Sequence, residues 1–242
     1  MPYLLSEDLV FPNPRHAWQD PHGLIAVGGD LSPERLMLAY QKGLFPWFSQ
    51  QDPILWWSPD PRAVLFLEDL KVSRSLRKSI KNKGFEVFLN KDFEDVIQAC
   101  AVLRQKQDGT WITDDMMNAY LQLHQLGFVH CVSVYKHNEL VGGLYGPSMG
   151  KFFFGESMFS RCADASKTAL YYLVQYLKRY DFPLIDCQIS NDHLTSLGAI
   201  ELERGYFLDL LEENIHTEQP EDMWLQKQLN LDDFLANHTK AS

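Results

Sequence analysis

Apolar and polar residues alternate along the chain with two periods, one typical of helices and one of strands. Helices are predicted at 33–42, 73–83, 91–103, 114–126, 165–180, 192–198 and the segment YFLDLL. Apolar positions three and four residues apart indicate some of them, and capping residues mark the start of others. Strands are predicted near Arg62 and at 85–89, 130–136, 139–146, 151–156 and 183–189. Asn90 is the expected cap of the third helix, and His137-Asn138 the expected tight turn between two strands. This mixture predicts an α+β fold, a mixed α/β sheet covered by helices.

The stretch GLFPWFSQQDPILWWSPDPR, residues 43–62, separates the chain into two parts. It holds five aromatic residues and four prolines, and prolines this frequent exclude a helix over most of it. We therefore expect an aromatic loop. A domain boundary is predicted at its end, which gives a small N-terminal domain over 1–61 and a larger domain over 62–242.

The composition indicates a globular protein of ordinary make-up. Hydrophobic residues make up 45% and charged residues 22% of the 242 residues. No apolar run approaches the ~20 residues that a membrane span needs, and the N-terminus lacks the basic start of a secretory signal, so a cytoplasmic protein is expected. Four scattered cysteines, and histidines without metal-ligand spacing, predict neither disulfides nor a metal site.

Charge is distributed unevenly along the chain, whose net charge is −10. The segment 71–83 holds six basic residues and no acid, whereas 201–222 holds eight acids and one arginine. One face of the predicted helix at 73–83 carries Arg74, Arg77, Lys78 and Lys81. Since no acid stands at helical spacing to pair with them, this face is either a phosphate-binding surface or a solvated charged surface.

Three carboxylate and amide side chains emerge from apolar strands and are candidates for chemistry. Alternation along 183–189 places Asp186 and Gln188 on one face of a strand, where a buried carboxylate needs a partner. Glu156 ends an aromatic strand just before a loop. The alternatives are structural roles, with Asp186 as the cap of the next turn and Glu156 as one half of a salt bridge.

Two further features allow a functional or a structural interpretation. Leu170, Leu173 and Leu177 share one face of the helix at 165–180, which either packs in the core or lines a pocket for an apolar side chain. Trp111 stands just before a helix start. It is either a stacking residue or part of the core.

Six stretches of the chain are long and unusual in composition, and they extend from about residue 11 to 206. They are GGDLSPERLMLAYQKGLFPWFS, DPILWWSPDPRAVL, GTWIT, ELVGGLYG, FGESMFSRCADASKTAL and LIDCQISNDHLTSLGA. Together they closely resemble the leucyl/phenylalanyl-tRNA–protein transferase family, bacterial aminoacyltransferases of the N-degron pathway.

The resemblance implies an activity, a fold and partners. Members move Leu or Phe, and less well Met, from aminoacyl-tRNA to the α-amine of a protein that begins with Arg or Lys, which marks the product for degradation. The C-terminal domain is expected to be similar to GCN5-related N-acyltransferases and to use no metal or organic cofactor. We expect a monomer without membrane attachment, whose partners are the aminoacyl-tRNA and the acceptor protein.

The resemblance also assigns residues. Trp47 and Trp111 match the adenine-contacting positions, and unstacked bases are commonly held on aromatic faces. Gln188, held by Asp186, and Glu156 match the positions proposed for catalysis, and which of them leads stays open. The basic helix face is expected to meet tRNA phosphates. The positions that match the pocket for the aminoacyl side chain are Leu144, Phe153, Leu170, Leu173, Leu177 and Ile185.

Three other interpretations are weighed against this one. An acyl-CoA N-acetyltransferase of related fold is disfavoured because the chain lacks the Q/R-x-x-G-x-G/A loop that holds the coenzyme A pyrophosphate. A tRNA-dependent transferase that builds cell-wall cross-bridges is disfavoured by the aromatic loop and by DCQISNDH. A non-catalytic binder of aminoacyl-tRNA would not need Asp186, Gln188 and Glu156, which are all present.

Overall fold

The computed structural model describes residues 3–18, 22–105 and 112–235. Within these ranges the helices are α1 (Pro33–Gln41), α2 (Arg74–Asn82), α3 (Phe93–Gln105), α4 (Asp114–Gln125), α5 (Ala165–Lys178), α6 (Asp192–Ser196), α7 (Arg204–Asn214) and α8 (Leu231–Leu235). The strands are β1 (Tyr3–Leu5), β2 (Leu24–Gly28), β3 (Phe45–Pro46), β4 (Leu55–Trp57), β5 (Arg62–Phe66), β6 (Glu86–Leu89), β7 (Val129–Lys136), β8 (Glu139–Met149), β9 (Phe152–Phe154), β10 (Ser157–Ser160), β11 (Leu184–Gln188), β12 (Ile200–Leu202) and β13 (Lys227–Leu229). No helix of the described residues is both long and apolar enough to cross a membrane.

The strands form two mixed sheets. The small sheet has four strands in the order β1-β2-β4-β3. The large sheet has nine strands in the order β12-β5-β11-β9-β8-β7-β6-β13, with β10 paired to β8 beside this path. Strand β1 is parallel to β2 and β9 is parallel to β11, whereas the other pairs are antiparallel. The predicted mixed α/β architecture is therefore confirmed.

The large sheet divides near its middle. Strand β8 pairs with β9 through Ser148 and Met149, and with β10 through residues 142–145. The parallel pairing of β9 with β11 ends at Phe154 and Asp186. Beyond that point β10 stays with β8, and no pairing joins β10 to β11 in the described part of the chain. The two strands diverge, and the gap between them opens onto the site described below.

The N-terminal part packs directly onto the large sheet. One apolar cluster joins Leu36 and Trp56 with Tyr120, Phe154 and Phe207 of the second part. Trp56 is fully buried, and its indole N–H donates to the Gly28 carbonyl at 2.9 Å. The boundary between residues 61 and 62 stays a prediction, but the two sheets on either side of it share this core.

Most predicted elements lie within a few residues of the observed ones, and the expected turn at His137-Asn138 is present with φ of 53° and 63°, as a type I′ turn requires. Two expectations are wrong. Asn90 does not cap α3, which begins at Phe93; its side-chain oxygen accepts from the Cys131 N–H at 3.0 Å instead. The aromatic stretch is more than a loop, because β3 and β4 lie within it and complete the small sheet.

Candidate active site

A pocket of about 790 Å³ opens where β10 and β11 diverge. Residues 155–160 form one side of it, and residues 187–191 form the other. The aromatic stretch of the N-terminal part closes a third side through Phe45, Pro46 and Trp47. The pocket is thus built by both parts of the chain.

The inner wall of the pocket is apolar. Five of the six residues predicted to receive an apolar side chain line it, and each is at most 4% exposed: Leu144, Phe153, Leu170, Leu173 and Ile185. Leu177, the sixth, is fully buried one turn further along α5 and belongs to the core cluster beside the pocket. An apolar wall of this kind is suited to an apolar group of a ligand, and a few polar atoms then determine which ligand binds.

Trp47 lies at the mouth of the pocket and is 45% exposed. Its ring stands edge-on to that of Trp57, with centroids 5.9 Å apart, and the Trp57 indole N–H donates to the Trp47 carbonyl at 2.7 Å. The backbone of Trp47 is therefore fixed while part of its ring stays open to solvent. Trp111, the second predicted stacking residue, lies outside the described residues.

Glu156 lies at the polar edge of the pocket and is 5% exposed. Its Oε1 accepts from the Tyr40 hydroxyl at 2.8 Å and from the Gln188 Nε2 at 2.5 Å, and its Oε2 accepts from the Tyr120 hydroxyl at 3.0 Å. The two tyrosine hydroxyls are themselves 2.5 Å apart. Three donors from three different elements thus hold one carboxylate.

The environment of Glu156 shifts the pKa of its carboxyl group toward neutral pH. Burial raises its pKa from 4.5 to about 7, although the hydrogen bonds from Tyr40, Tyr120 and Gln188 act in the opposite direction. Perturbed carboxyls of this kind cluster at functional sites. The alternative of a structural salt bridge finds no support, since no cation pairs with Glu156 among the described residues.

Asp186 is fully buried and paired with Arg62, which is also fully buried. Arg62 donates to Oδ1 from Nε at 2.9 Å and to Oδ2 from Nη2 at 2.7 Å, while its Nη1 donates to the Gly43 carbonyl at 3.1 Å. The guanidinium also lies over the ring of Phe207, 4.6 Å from its centroid. Asp186 does not line the pocket, so any influence on a substrate passes through its neighbours.

The predicted regular alternation of Asp186 and Gln188 is wrong, because the register of β11 against β5 shifts between them. Gln188 has a φ of 64°, an uncommon value for a residue other than glycine. Its backbone N–H donates to Asp186 Oδ1 at 2.9 Å, which holds this conformation. Asp186 turns into the core and Gln188 turns into the pocket. The link between the two is through the backbone of Gln188.

One of the two polar atoms of the Gln188 side-chain amide already makes a hydrogen bond within the protein. Its Nε2 donates to Glu156, so Oε1 is the amide atom left to accept from a bound group, and no donor of the described chain is assigned to it. A carboxylate that can take up a proton and an amide oxygen that can accept a hydrogen bond stand side by side at the end of an apolar pocket. The pair is suited to binding and orienting an amine.

Three residues of this arrangement were not predicted from the sequence: Arg62, Tyr40 and Tyr120. An arginine inside the apolar strand RAVLF signals a buried charge that needs a partner, and that signal was available. The tyrosines carry no such signal, because they occupy ordinary buried positions of α1 and α4.

The predicted basic helix is confirmed as α2. Ser73 caps it by accepting from the Leu76 N–H at 3.1 Å, and Leu76 and Ile80 face the core. The four predicted cations are exposed, and no ion pair among the described residues involves them: Arg74, Arg77, Lys78 and Lys81. The structure therefore presents an uncompensated cationic face. Whether it binds phosphate stays a prediction.

The described residues contain no cluster of histidine, cysteine, aspartate and glutamate that could hold a metal ion. Cys131 and Cys100 are buried in the core, and Cys162 and Cys187 are half-buried.

Comparisons with known proteins identify the class. A family model described as leucyl/phenylalanyl-tRNA protein transferase matches residues 64–212, and one described as the N-terminal domain of that transferase matches residues 29–60. The leucyl/phenylalanyl-tRNA–protein transferase of Pseudoalteromonas atlantica is 51% identical over 94% of this chain and 97% of its own length. That of Yersinia enterocolitica is 52% identical over 94% of this chain and 95% of its own. The chain is therefore an enzyme of the transferase class.

More narrowly, the chain belongs to the leucyl/phenylalanyl-tRNA protein transferase family. The solved structures to which it is similar are more distant. A GCN5-related N-acetyltransferase-like protein of Streptococcus suis is 17% identical over 58% of either chain, with a TM-score of 0.34. L-PGS of Bacillus licheniformis is 11% identical over 69% of this chain and 53% of its own, with a TM-score of 0.40. The assignment depends on the sequence relatives alone.

Proposed function

We propose that this enzyme transfers Leu or Phe, and less well Met, from aminoacyl-tRNA to the α-amine of proteins that begin with Arg or Lys. The new peptide bond marks the acceptor for degradation by the N-degron pathway. The main observation in support of the proposal is the apolar wall of the pocket, which ends at the Glu156–Gln188 pair. The enzyme acts as a monomer in the cytoplasm, where its tRNA donor is found, and needs no metal or organic cofactor.

The apolar wall receives the side chain of the donor amino acid. Leu170 and Leu173 of α5, together with Leu144 of β8 and Ile185 of β11, line the pocket and belong to one apolar cluster. Walls made of such branched residues bind any apolar side chain of similar size, and a methylene group changes the affinity by only ~1–3 kcal/mol. This limited discrimination supports a preference shared among Leu, Phe and Met.

Trp47 and Trp111 hold the terminal adenine of the donor. The half-exposed ring of Trp47 at the pocket mouth supports this role, since stacking a base on an aromatic face contributes ~1–3 kcal/mol. The exposed cations of α2 meet phosphates of the tRNA body, a contact that positions the donor without reading its sequence.

The reaction needs little more than orientation, because the ester of the donor is already activated. The acceptor α-amine, with a usual pKa of about 7.7–8.0, attacks the ester carbonyl; a C–N bond forms, the C–O bond to the ribose breaks, and a proton passes from the amine to the ribose oxygen. Gln188 Oε1 accepts a hydrogen bond from the attacking amine. Most of the rate comes from holding the two groups together.

Glu156 either orients the α-amino group of the donor or attracts the cationic acceptor. It is the one carboxylate among the described residues that line the pocket, which supports a preference for acceptors that begin with Arg or Lys. Asp186 acts as a positioning residue. Paired with Arg62, it fixes the backbone of Gln188 and so aims the amide.

The test uses labelled Leu-tRNA and three peptides that begin with Arg, Lys or Ala. Labelling of the Arg and Lys peptides, absent with the Ala peptide and abolished by ribonuclease, is the expected result. Equal labelling of all three refutes the acceptor preference. The variant Gln188→Ala tests the role of the amide: a near-normal kcat for transfer from Phe-tRNA to an Arg peptide contradicts it.

A further inference from the structure

A second, more open cleft adjoins the reaction pocket beside the start of α5. Its volume is about 540 Å³. Ser160, Ser166 and His193 line both cavities, so a ligand strand that leaves the pocket can continue into the cleft. Its other lining residues are Arg161, Cys162, Ala163, Asp164 and Lys167. We call it the 160–167 cleft.

The 160–167 cleft is cationic. Arg161 and Lys167 are its cations, and Asp164 is the one carboxylate among its described lining residues. Asp164 is already engaged, since it accepts from the Ser79 hydroxyl at 2.6 Å and lies 3.2 Å from the Lys83 ammonium. The Ser79 hydrogen bond and the Lys83 contacts hold the pKa of Asp164 below its usual range. It therefore stays ionised, with Lys83 as its ion-pair partner and Lys167 as a further nearby charge.

The cations of the cleft keep unused donors. Arg161 uses Nη1 to donate to the Leu140 carbonyl at 3.0 Å, and no ion pair among the described residues involves Arg161 or Lys167. Partial burial and the nearby charge of Lys167 lower the pKa of His193, so near neutral pH its imidazole is neutral and offers the cleft a hydrogen bond but no charge. Arg161 and Lys167, two cations beside one open cleft, attract an anionic ligand.

The cleft also adjoins the basic helix. Lys83, which follows the last turn of α2, donates to the Ala163 carbonyl at 2.7 Å, and Ser79 of the same helix bonds to Asp164. The end of α2 thus forms part of the wall behind the cleft. Lys167 thus continues the cationic face of α2 toward the edge of the reaction pocket, with the Lys83–Asp164 ion pair between them.

We propose that the 160–167 cleft binds the phosphates of the single-stranded 3′ end of the donor tRNA, between the helical part of the tRNA on α2 and the terminal adenosine in the pocket. The proposal rests on the proposed function. A strand with one phosphate per nucleotide matches a line of cations. The acceptor, whose first residue is cationic, is repelled from the cleft and approaches from another side.

The experiment compares three donors that differ in phosphate content: leucyl-adenosine with none, the trinucleotide leucyl-CCA, and leucyl-tRNA. The variant is Lys167→Gln. The matched control is Lys42→Gln, which removes the charge of an exposed lysine that lines neither cavity. Lys167→Arg restores the charge, and thermal unfolding of each variant monitors the fold.

Lys167→Gln is expected to raise KM about two- to five-fold for leucyl-CCA and leucyl-tRNA, the range of an exposed ion pair, and to leave KM for leucyl-adenosine unchanged. For leucyl-tRNA, the slope of log KM against log salt falls by about 0.7, the value of one single-strand phosphate contact. Lys167→Arg and Lys42→Gln behave like the wild type.

An equal rise of KM for all three donors, or no rise for any, overturns the cleft proposal. The proposed function is tested separately by the wild type. If the wild type and Lys167→Gln both transfer leucine from leucyl-adenosine with the same KM, the proposed function is supported. This holds whatever KM values leucyl-CCA and leucyl-tRNA give. Absence of transfer from every donor by the wild type overturns both.

Discussion

Replacing the buried carboxyl of Glu156 by an amide, as Glu156→Gln, should change how stability depends on pH. The carboxyl is 5% exposed and its pKa is raised from 4.5 to about 7, chiefly by burial. The folded protein therefore keeps this proton up to a pH near 7, whereas the unfolded chain releases it near 4.5. Between these pH values the folded state binds more protons, so the free energy of unfolding falls as the pH rises.

The size of the effect follows from the same values. A shift from 4.5 to about 7, at 1.36 kcal/mol for each pKa unit, corresponds to about 3 kcal/mol. The loss begins near pH 4.5 and is complete above pH 7, where the ionised carboxylate is buried without a cation. The amide that replaces it in the variant has nearly the same shape, is neutral and does not titrate. The wild type should therefore lose about 3 kcal/mol relative to the variant between pH 4.5 and 8.

Urea unfolding of both proteins from pH 4.5 to 8.5 measures this difference, and contributions of other groups cancel because both proteins carry them. Glu212→Gln, at an exposed glutamate of α7, is the control and should follow the wild type at every pH. Curves for Glu156→Gln and the wild type that run parallel across this range refute the reasoning, since they show a carboxyl with the same pKa in both states.

Three further predictions concern other parts of the site. Trp47→Ala should raise KM for the donor about 5- to 150-fold, the equivalent of ~1–3 kcal/mol of stacking, and steady-state kinetics with an unchanged acceptor KM checks this. Arg62→Ala leaves Asp186 buried and unpaired, so urea unfolding should show a loss of about 3–5 kcal/mol; a loss below about 1 kcal/mol contradicts the pairing. Arg74→Ala combined with Lys78→Ala should weaken donor binding and flatten its salt dependence, and an unchanged salt slope in filter binding counts against the phosphate surface.

Local signals made much of the fold predictable. Ser32 before Pro33 predicted α1, and the spacing of Val72, Leu76 and Ile80 predicted α2, because capping and periodicity act within a few residues. The small sheet was not predicted. Its strands are at most five residues long, and prolines and glycines between them look like those of a loop.

The site was less predictable because its decisive contacts are long-range. Arg62 and Asp186 lie 124 residues apart in sequence, and Tyr40 lies 116 residues from Glu156. No spacing pattern records such pairs. The direction of Gln188 also escaped prediction, since a register shift at one residue reverses the face that alternation assigns. The sequence could single out Asp186, Gln188 and Glu156 as candidates, but not the hydrogen bond that joins Asp186 to the backbone of Gln188.

The N-terminal part is a component of the pocket, and its packing sets the geometry of the residues around Gln188. Tyr40 donates to Glu156, Trp47 forms the mouth, and the Gly43 carbonyl accepts from the same guanidinium of Arg62 that holds Asp186. Gly43 has a φ of 73°, and a Cβ there would lie 2.7 Å from a side-chain carbon of Leu208, so no larger residue fits without a shift. Because Arg62 binds Gly43 and Asp186 together, a displacement of the N-terminal part reaches the backbone of Gln188 through three hydrogen-bonded steps, from Gly43 to Arg62, from Arg62 to Asp186 and from Asp186 to Gln188. A pocket built in this way keeps its geometry only while the N-terminal part stays packed against the rest of the chain.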